Sequence, residues 1–509
     1  MGRDDPPRSP VRTGTPSATC GQAGAGHREI FGQPRGLATL FLTEMWERFT
    51  YYGMRSILIL FAVAAVSDGG LGLDDHIASA IYGLYIAATY VFALFGGWMA
   101  DRLLGAQRAV IVGGVLILCG NVLLILGNVQ CFFVGLVVIV LGVGLLKPNI
   151  SVMVAELYPE GGARRDAGFS IFYVGISVGA LLGSLLVPLC AAQFGWRWGF
   201  SLPVLGMMIG LGQFMLTRRW LGDRGRGARG ATGFRAWLPV LLLLLVVMAI
   251  TALAIGGQLA VDPVRLAAAA SWVIALFAVA YFAYLILFAG LNRDERRRVY
   301  VMFALFVAYA TFYAGFEQGG ASLNLFAERY TDRNLFGWLM PAGVLQGTTA
   351  LYTILFAPAF AALWIALGRR GYDFAPSTKF AAGLGLLSAG YLVMYVASGY
   401  VVKGAKILPT WLLVTYFLQE CGDLCLSPVG LSSMTKLAPP RFVGQVMGLW
   451  FLALALGNNL AGQLSGEYDA HNLQSLPALF LKIFWWSFVA AAIMLLATPL
   501  IRRLLGGVR

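Results

Sequence analysis

The chain has 509 residues, of which 59% are hydrophobic and 12% are charged, and its mean hydropathy is +0.75. Soluble domains contain roughly 45–50% apolar and about 25% charged residues, which excludes a soluble fold for this composition. Apolar stretches of about 20 residues can cross a bilayer as helices, whereas the strands of a membrane barrel would be nearer 10 residues. The composition therefore predicts an all-α polytopic membrane protein.

The predicted elements begin with a polar segment, residues 1–35, whose Pro, Gly, Arg, Ser and Thr content indicates a disordered cytoplasmic tail. Apolar segments then follow at 36–65, 76–100, 107–127, 131–157, 166–190 and 198–219. A basic interruption at 218–235 precedes two very apolar segments, 236–257 and 265–290, which we interpret as peripheral and lipid-facing. Further apolar segments lie at 297–327, 336–368, 378–400, 408–436, 442–464 and 478–502.

These fourteen segments predict two six-helix bundles, at 36–220 and 293–503, separated by a linker with two extra helices at 221–292 and followed by a tail at 504–509. The formal net charge is +13, and the basic residues concentrate in every second loop. Under the positive-inside rule, this places both termini in the cytoplasm of a cell with the chain in its inner membrane. Because the rule also explains the positive charge, no nucleic acid partner is expected.

Several chemistries find no support in the sequence. The six cysteines show no CxxC spacing, and the three histidines lie in the tail or in loops, so neither a disulfide framework nor a metal site is expected. The sequence also contains no motif that pairs a nucleophile with a nearby histidine, so an integral membrane enzyme is not expected.

The first span carries side chains that lipid does not tolerate. At 100° per residue they share an arc of about 140° on one helix face. The residues on this face are Glu44, Glu47, Arg48, Tyr51, Tyr52 and Arg55. Ionisable groups within a span need partners or a hydrated cavity, so this face lines an interior. It is either an inert ion-pair network or a site for a charged solute and a proton.

Other ionisable residues predicted at membrane depth are Lys147, Glu317, Glu420 and Asp423. Lys147 precedes Pro148, which predicts a helix break there, and a lysine at a helix end can also extend to the membrane interface. Glu317 lies in a segment too apolar for a surface loop. Acids and bases nearly balance over all these positions, which suits a zwitterionic solute and a proton carried on a carboxylate.

Two motifs resemble known families. GGWMADRLLGAQR at 96–108 is similar to the cytoplasmic loop signature of the major facilitator superfamily. EMWERFTYYGMR at 44–55 resembles the ExxERFxYYG signature of the proton-dependent oligopeptide transporter family. Further similar stretches lie at 164–176, 195–200, 316–333 and 426–451. The resemblance spans roughly residues 36–500 and implies the major facilitator fold, with 12 core helices and two extra helices between the halves as in bacterial members.

The resemblance also implies roles for matching positions. Proton coupling is implied for Glu44, Glu47, Arg48 and Lys147. Substrate binding is implied for Arg48, Tyr51, Tyr52, Tyr90, Lys147, Ser177, Tyr313, Thr349, Asp423 and Trp450. The resemblance implies that Arg55 and Glu317 form the outer gate. Lys147 and Asp423 lie in opposite halves, so either they pair as a gate when the inner side is closed or Asp423 holds the amino end of the peptide.

The predicted pocket departs from the family pattern. Ser177 and Thr349 stand where the family has asparagines, and Tyr313 stands where it has a tryptophan. Fewer amides mean fewer paired hydrogen bonds to a peptide backbone. Asp423 replaces a glutamate and is one methylene shorter, so Glu420, one turn earlier, is an alternative for this acid.

The sequence therefore predicts a proton-coupled symporter that imports di- and tripeptides by alternating access. Its expected partners are a small peptide, protons and the lipid bilayer, without an obligate protein partner, and a proton gradient takes the place of a cofactor. One alternative keeps the fold and the coupling with a modified peptide, a peptide-like antibiotic or another organic anion as cargo. Another is a membrane sensor that binds the same ligand without transporting it.

Overall fold

The computed structural model describes residues 29–30, 32–159, 162–227, 234–256, 258, 262–370, 374–468 and 472–505. Most of the predicted N-terminal tail, residues 1–28, and positions 506–509 of the predicted C-terminal tail lie outside the described residues.

The described chain is helical almost throughout. Its N-terminal half contains α1 (Arg35–Val63), α2 (Asp75–Met99), α3 (Ala106–Ile125), α4 (Val129–Glu156), α5 (Gly162–Phe194) and α6 (Trp196–Thr217). The extra pair is α7 (Phe234–Ile255) and α8 (Pro263–Leu287). The C-terminal half contains α9 (Arg293–Phe316), α10 (Ser322–Tyr330), α11 (Gly347–Arg369), α12 (Pro376–Val402), α13 (Thr410–Leu437), α14 (Val443–Gly466), α15 (Ser475–Leu496) and α16 (Thr498–Leu505).

Short elements connect these helices. Two antiparallel hairpins pair β1 (Glu29–Ile30) with β2 (Gln33–Pro34) and β3 (Asn334–Leu335) with β4 (Trp338–Leu339). A π-helical turn at Ala100–Leu104 follows α2, and 3₁₀ turns lie at Val66–Asp68, Arg218–Leu221, Glu317–Gly320, Ala342–Gln346 and Pro440–Phe442.

The predicted spans are present as long helices. In the described ranges, twelve helices or runs of helix are long and apolar enough to cross a membrane. The two other predicted spans are α1 and α13, with 29 and 28 residues, which are equally long but carry more charged and polar side chains. The prediction of an all-α polytopic membrane protein is therefore confirmed.

The halves meet along two pairs of helices, because α2 packs against α14 and α5 packs against α11. We call the end of the molecule that carries the start of α1 and α16 the terminus end, and the opposite one the far end. Near the far end, a Cβ atom on Gly83 would lie 2.8 Å from the Cα of Gly462. The backbones of α2 and α14 are therefore in direct contact there.

A second close backbone contact holds α2 against α4 and yields a prediction. A Cβ atom on Gly96 would overlap the Gly144 carbonyl, whereas one on Gly97 would lie 3.9 Å from the Pro148 side chain. Gly96→Ala is therefore expected to lower the stability by about 1–3 kcal/mol. Gly97→Ala is the matched control and should be neutral or slightly stabilising, because alanine favours helix. Thermal melting in detergent compares the two, and equal melting temperatures would contradict the contact.

The extra helices differ in how they are attached. The side-chain amide of Asn459 on α14 donates to Ser271 Oγ of α8 at 2.9 Å, and that of Gln463 donates to the same oxygen at 2.7 Å. Nearer the terminus end, Tyr281 of α8 donates to Gln445. By contrast, only 6% of the membrane segment of α7 is buried. The predicted lipid-facing position therefore fits α7. α8, by contrast, is attached to the C-terminal half by buried hydrogen bonds.

Candidate functional site

The charged face of α1 is buried as an ion-pair cluster. Arg48 Nε lies 3.2 Å from Glu44 Oε1 and also pairs with Glu47. None of these three residues is more than 4% exposed. One oxygen of each carboxylate and one guanidinium nitrogen of Arg48 find no hydrogen-bond partner among the described residues. An inert network would satisfy such buried atoms, so the unpaired ones favour a site that receives a proton or a ligand.

Lys147 of α4 faces this cluster. Its Nζ lies 4.2 Å from the ring centroid of Tyr90 on α2, in a cation–π contact. It is within electrostatic range of Glu44 and Glu47, yet in the described part of the chain no carboxylate lies within the 4.0 Å of an ion pair. Lys147 is thus a basic side chain at membrane depth that is close to two acids but forms no ion pair with either of them.

The predicted helix break beside Lys147 is wrong. α4 continues through Pro148 to Glu156. Proline is tolerated within a membrane helix when nearby groups satisfy the freed backbone. The carbonyl that Pro148 frees is that of Gly144, which the α2 backbone approaches closely at Gly96. Beside it, the side-chain amide of Asn149 donates to Leu145 O at 2.6 Å and to Gly96 O at 3.3 Å. Lys147 therefore lies in mid-helix rather than at a helix end.

Aromatic side chains line the space beside these charges. The guanidinium carbon of Arg48 lies 5.0 Å from the ring centroid of Tyr51, and the rings of Tyr51 and Tyr52 meet edge to face at 5.2 Å. The Tyr90 phenol is within electrostatic range of Arg48 in the N-terminal half and of Asp423 in the C-terminal half. The two halves therefore face a common interior at this level.

At the far end, Arg55 of α1 pairs with Glu317, which begins the 3₁₀ turn after α9. Arg55 Nε also donates to the hydroxyl of Tyr82 at 2.6 Å. Both charged side chains are buried, and the pair joins the two halves. The structure thus brings together the two residues assigned to the outer gate.

A second ion pair at the far end was not predicted. Arg329 of α10 binds both carboxylate oxygens of Asp75 at the start of α2, at 2.6 and 2.7 Å. The Tyr468 ring lies 5.4 Å from the Arg329 guanidinium carbon. Close by, the Asn324 amide donates to Ser56 O at 3.0 Å. Polar contacts between the halves therefore close this end.

The C-terminal half contributes an acid with hydroxyl partners. Asp423 Oδ1 accepts a hydrogen bond from Tyr313 at 3.1 Å and another from Ser427 at 2.5 Å. Trp450 is buried and stacks on Tyr309, with ring centroids 3.7 Å apart. No lysine or arginine of the described ranges forms an ion pair with Asp423. Lys147 and Asp423 are accordingly not joined in this structure.

Glu420 points in a different direction from Asp423. It is buried and accepts a hydrogen bond from Thr353 of α11 rather than from α9. The described residues offer it no cationic partner either. The two acids of α13 therefore have separate surroundings, and Asp423 is the one beside Tyr313 and Ser427.

The two residues that replace asparagines direct their hydroxyls to carbonyls three or four residues earlier in the chain. Ser177 donates to Tyr173 O at 3.4 Å, and Thr349 donates to Gln346 O at 2.8 Å. Neither therefore offers its proton to the interior. Tyr173, which lies in the similar stretch at 164–176 and was not predicted as a site residue, is 48% exposed and within electrostatic range of Asp423 and Glu420.

Comparison with known proteins places the chain in a family. The POT family model matches residues 107–481. The peptide transporter YePEPT of Yersinia enterocolitica is 42% identical over 496 residues, which cover 94% of this chain and 97% of that protein. A di-/tripeptide transporter of Lactococcus lactis is 35% identical over 457 residues, which cover 87% of this chain and 91% of that protein.

Solved structures agree with the sequence comparisons. A crystal structure of peptide transporter POT with sulfate has a TM-score of 0.88 at 38% identity and covers 94% of this chain and 98% of its own. A POT family transporter in complex with 5-aminolevulinic acid has a TM-score of 0.86 at 30% identity and covers 93% of this chain and 98% of its own. This chain therefore belongs to the POT family, the proton-dependent oligopeptide transporter family that residues 44–55 predict.

Proposed function

We propose that this protein is a proton-coupled symporter that imports di- and tripeptides across a bacterial inner membrane. The observation that carries the proposal is the common interior around Tyr90, which contacts Lys147 at 4.2 Å and is within electrostatic range of Arg48 in one half and of Asp423 in the other. A peptide in water has a negative carboxylate and a positive amino end, and this arrangement complements both. Relatives named peptide transporter and di-/tripeptide transporter support the same substrate class.

The substrate carboxylate binds Arg48 and Lys147, and the amino end binds Asp423. Arg48 has a guanidinium nitrogen without a partner among the described residues, and Lys147 has no ion pair there. Charge-assisted hydrogen bonds to such groups are about twice as strong as neutral ones. Tyr51, Tyr52, Tyr90 and Trp450 enclose the side chains of the peptide.

Proton coupling follows from the shared arginine. Arg48 holds both Glu44 and Glu47, so the peptide carboxylate competes with these acids for one guanidinium group. A proton on Glu47 neutralises the acid and releases Arg48 to the peptide. The proton and the peptide therefore bind together, and the proton gradient supplies the energy in place of a cofactor.

Transport requires the interior to open to each side in turn. In our proposal, residues 36–220 and 293–503 move as two bundles, with both termini cytoplasmic and the far end outside. Arg55–Glu317 and Arg329–Asp75 then hold the outer side shut in this state. Lys147 pairs with Asp423 only after the far end has opened and the terminus end has closed.

A second candidate cargo rests on the altered pocket. Because Ser177 and Thr349 donate to backbone carbonyls close by in the chain, two amide contacts to a peptide backbone are missing. A modified peptide, a peptide-like antibiotic or a small organic anion depends less on those contacts. Solved POT structures with alafosfalin and with 5-aminolevulinic acid show that such ligands bind other POT proteins.

The experiment that tests these proposals is uptake into liposomes that contain the purified protein, with a pH gradient imposed. Di- and tripeptides should accumulate only when the outside is acidic, and unlabelled peptides should compete. Accumulation of organic anions but not of peptides would favour the second cargo. Saturable peptide binding without any accumulation would instead identify a sensor and contradict transport.

Exchange of the two charges of the Arg55–Glu317 pair tests the outer gate. Arg55→Glu and Glu317→Arg are each expected to slow transport, because each brings two like charges together in a buried site. The double variant restores an oppositely charged pair and should transport several-fold faster than either single variant. Uptake rates in liposomes, normalised to protein content, provide the measurement.

The control for this exchange is the pair formed by Lys482 and Glu467, which is about half exposed and lies within the C-terminal half. Exchange of those two charges should leave the uptake rate unchanged, because surface pairs contribute little. A double Arg55/Glu317 variant no faster than the single variants would show that the two residues do not act together.

A further inference from the structure

A crevice separates α2 from the loosely packed helix α7. Its volume is about 530 Å³, within the roughly 300–1,000 Å³ typical of ligand sites. Seven side chains line it, four from α2 and three from α7, and all are apolar or aromatic. We call it the α2–α7 crevice. Phe95 and Trp98 belong to its α2 wall, and Leu243 belongs to its α7 wall.

The medium around this crevice determines what can fill it. Both walls belong to helices that are long and apolar enough to cross the membrane, so the crevice opens to lipid. A water molecule needs two to four polar partners, and the lining side chains offer essentially none. The walls are suited to a hydrocarbon chain, each buried methylene of which contributes about 0.8 kcal/mol.

One end of the crevice carries positive charge. Arg102 lies in the π-helical turn that continues α2, four residues after Trp98 and therefore near the same helix face. It is exposed, and among the described residues it takes part in no ion pair. α7 packs against this same turn, so Arg102 lies where the crevice meets the terminus end.

Neighbouring arginines extend this positive surface. Arg108 of α3 is exposed, and Gln107 beside it donates to Arg224 O at 2.6 Å, which brings the loop after α6 to the same place. Two acids, Asp101 and Asp223, lie nearby. Asp223 is already paired with Arg226, so Asp101 is the one of the two that can offset the positive charge. Basic groups at the ends of membrane helices attract anionic lipid headgroups, and each arginine contributes about 1 kcal/mol of binding free energy.

We propose that the α2–α7 crevice binds one acyl chain of an anionic phospholipid whose phosphate group contacts Arg102. The lipid supplies the packing that the protein does not provide between α7 and the N-terminal half. This explains how a helix with so little of its surface buried keeps its place beside α2. The site is separate from the charged interior and does not depend on the transported substrate.

The test is native mass spectrometry of the purified full-length protein titrated with phosphatidylglycerol or phosphatidylcholine. The wild type should retain one phosphatidylglycerol, bound about fivefold more tightly than phosphatidylcholine. Arg102→Gln should remove this preference without changing the fold, because the side chain is exposed. Leu243→Trp should fill the crevice and reduce the retention of both lipids, and Leu243→Phe is the milder variant if the first does not fold.

Arg296→Gln is the matched control, because Arg296 is also exposed at the terminus end but lies on α9, away from the crevice. It should bind lipid as the wild type does. Equal retention of both lipids by the wild type, or an unchanged preference in Arg102→Gln, would overturn the headgroup assignment. Wild-type retention in the Leu243 variants would show that the chain lies elsewhere and overturn the site.

Discussion

Glu47→Gln is expected to abolish peptide uptake driven by a pH gradient while leaving peptide exchange across the membrane largely intact. Glutamine keeps the shape of the side chain but cannot accept and release a proton. Arg48 stays positioned by Glu44 at 3.2 Å and retains the guanidinium nitrogen that has no partner among the described residues, so the carboxylate end of the peptide can still bind there. The variant should therefore bind and exchange peptides without coupling them to protons.

Two assays on the same liposomes separate these steps. Gradient-driven uptake should fall to that of empty liposomes, whereas exchange of labelled for unlabelled peptide should continue near the wild-type rate. Glu467→Gln, which neutralises a carboxylate 45% exposed at the far end, is the control and should affect neither assay. Wild-type accumulation by Glu47→Gln would remove Glu47 from the coupling step.

Asp423→Ala is expected to abolish uptake of peptides with free amino ends, and Glu420→Ala is expected to reduce that uptake far less. Asp423 accepts hydrogen bonds from Tyr313 and Ser427, and Trp450 is stacked against Tyr309 nearby. The aspartate thus lies beside the aromatic pocket wall. Glu420 accepts its hydrogen bond from Thr353 on α11 and points away from that wall.

Peptides with blocked amino ends provide the discriminating measurement for Asp423. The Asp423→Ala variant should lose its preference for the free amine, so that blocked and free peptides compete equally weakly for binding. Asp423→Asn, which keeps the hydrogen bonds but not the charge, tests the role of charge if the alanine variant does not fold. If Glu420→Ala were inactive and Asp423→Ala transported normally, the residue that binds the amino end of the peptide would be Glu420 and not Asp423.

Much of the fold could be predicted because lipid imposes a simple pattern on the sequence. The predicted boundaries differ from the structure where local sequence chemistry overrides this pattern. The predicted span 297–327 is present as the run Arg293–Tyr330, but it is not one regular helix, because a 3₁₀ turn at Glu317–Gly320 separates α9 from α10. The predicted start at 336 falls in a hairpin that turns through Gly337, and α11 begins only at Gly347.

The site was predictable to the extent that its contacts are local. Glu44, Glu47 and Arg48 lie within two turns of one helix, so their spacing alone places them together. Arg329 and Asp75 are 254 positions apart, and each resembles an ordinary loop charge in the sequence. The attachment of α8 had a signal that was overlooked, namely the polar residues Asn459 and Gln463 one turn apart within an apolar helix.

The contact between Gly83 and Gly462 also suggests a way to trap the protein in its other state. No side chain stands between the two backbones, so nothing can rotate aside to make room for an added group. A bulky residue at position 83 would act as a wedge, which holds the far end apart without altering any charge. Such a trapped form would offer a uniform sample for selecting antibodies that recognise the opened far end.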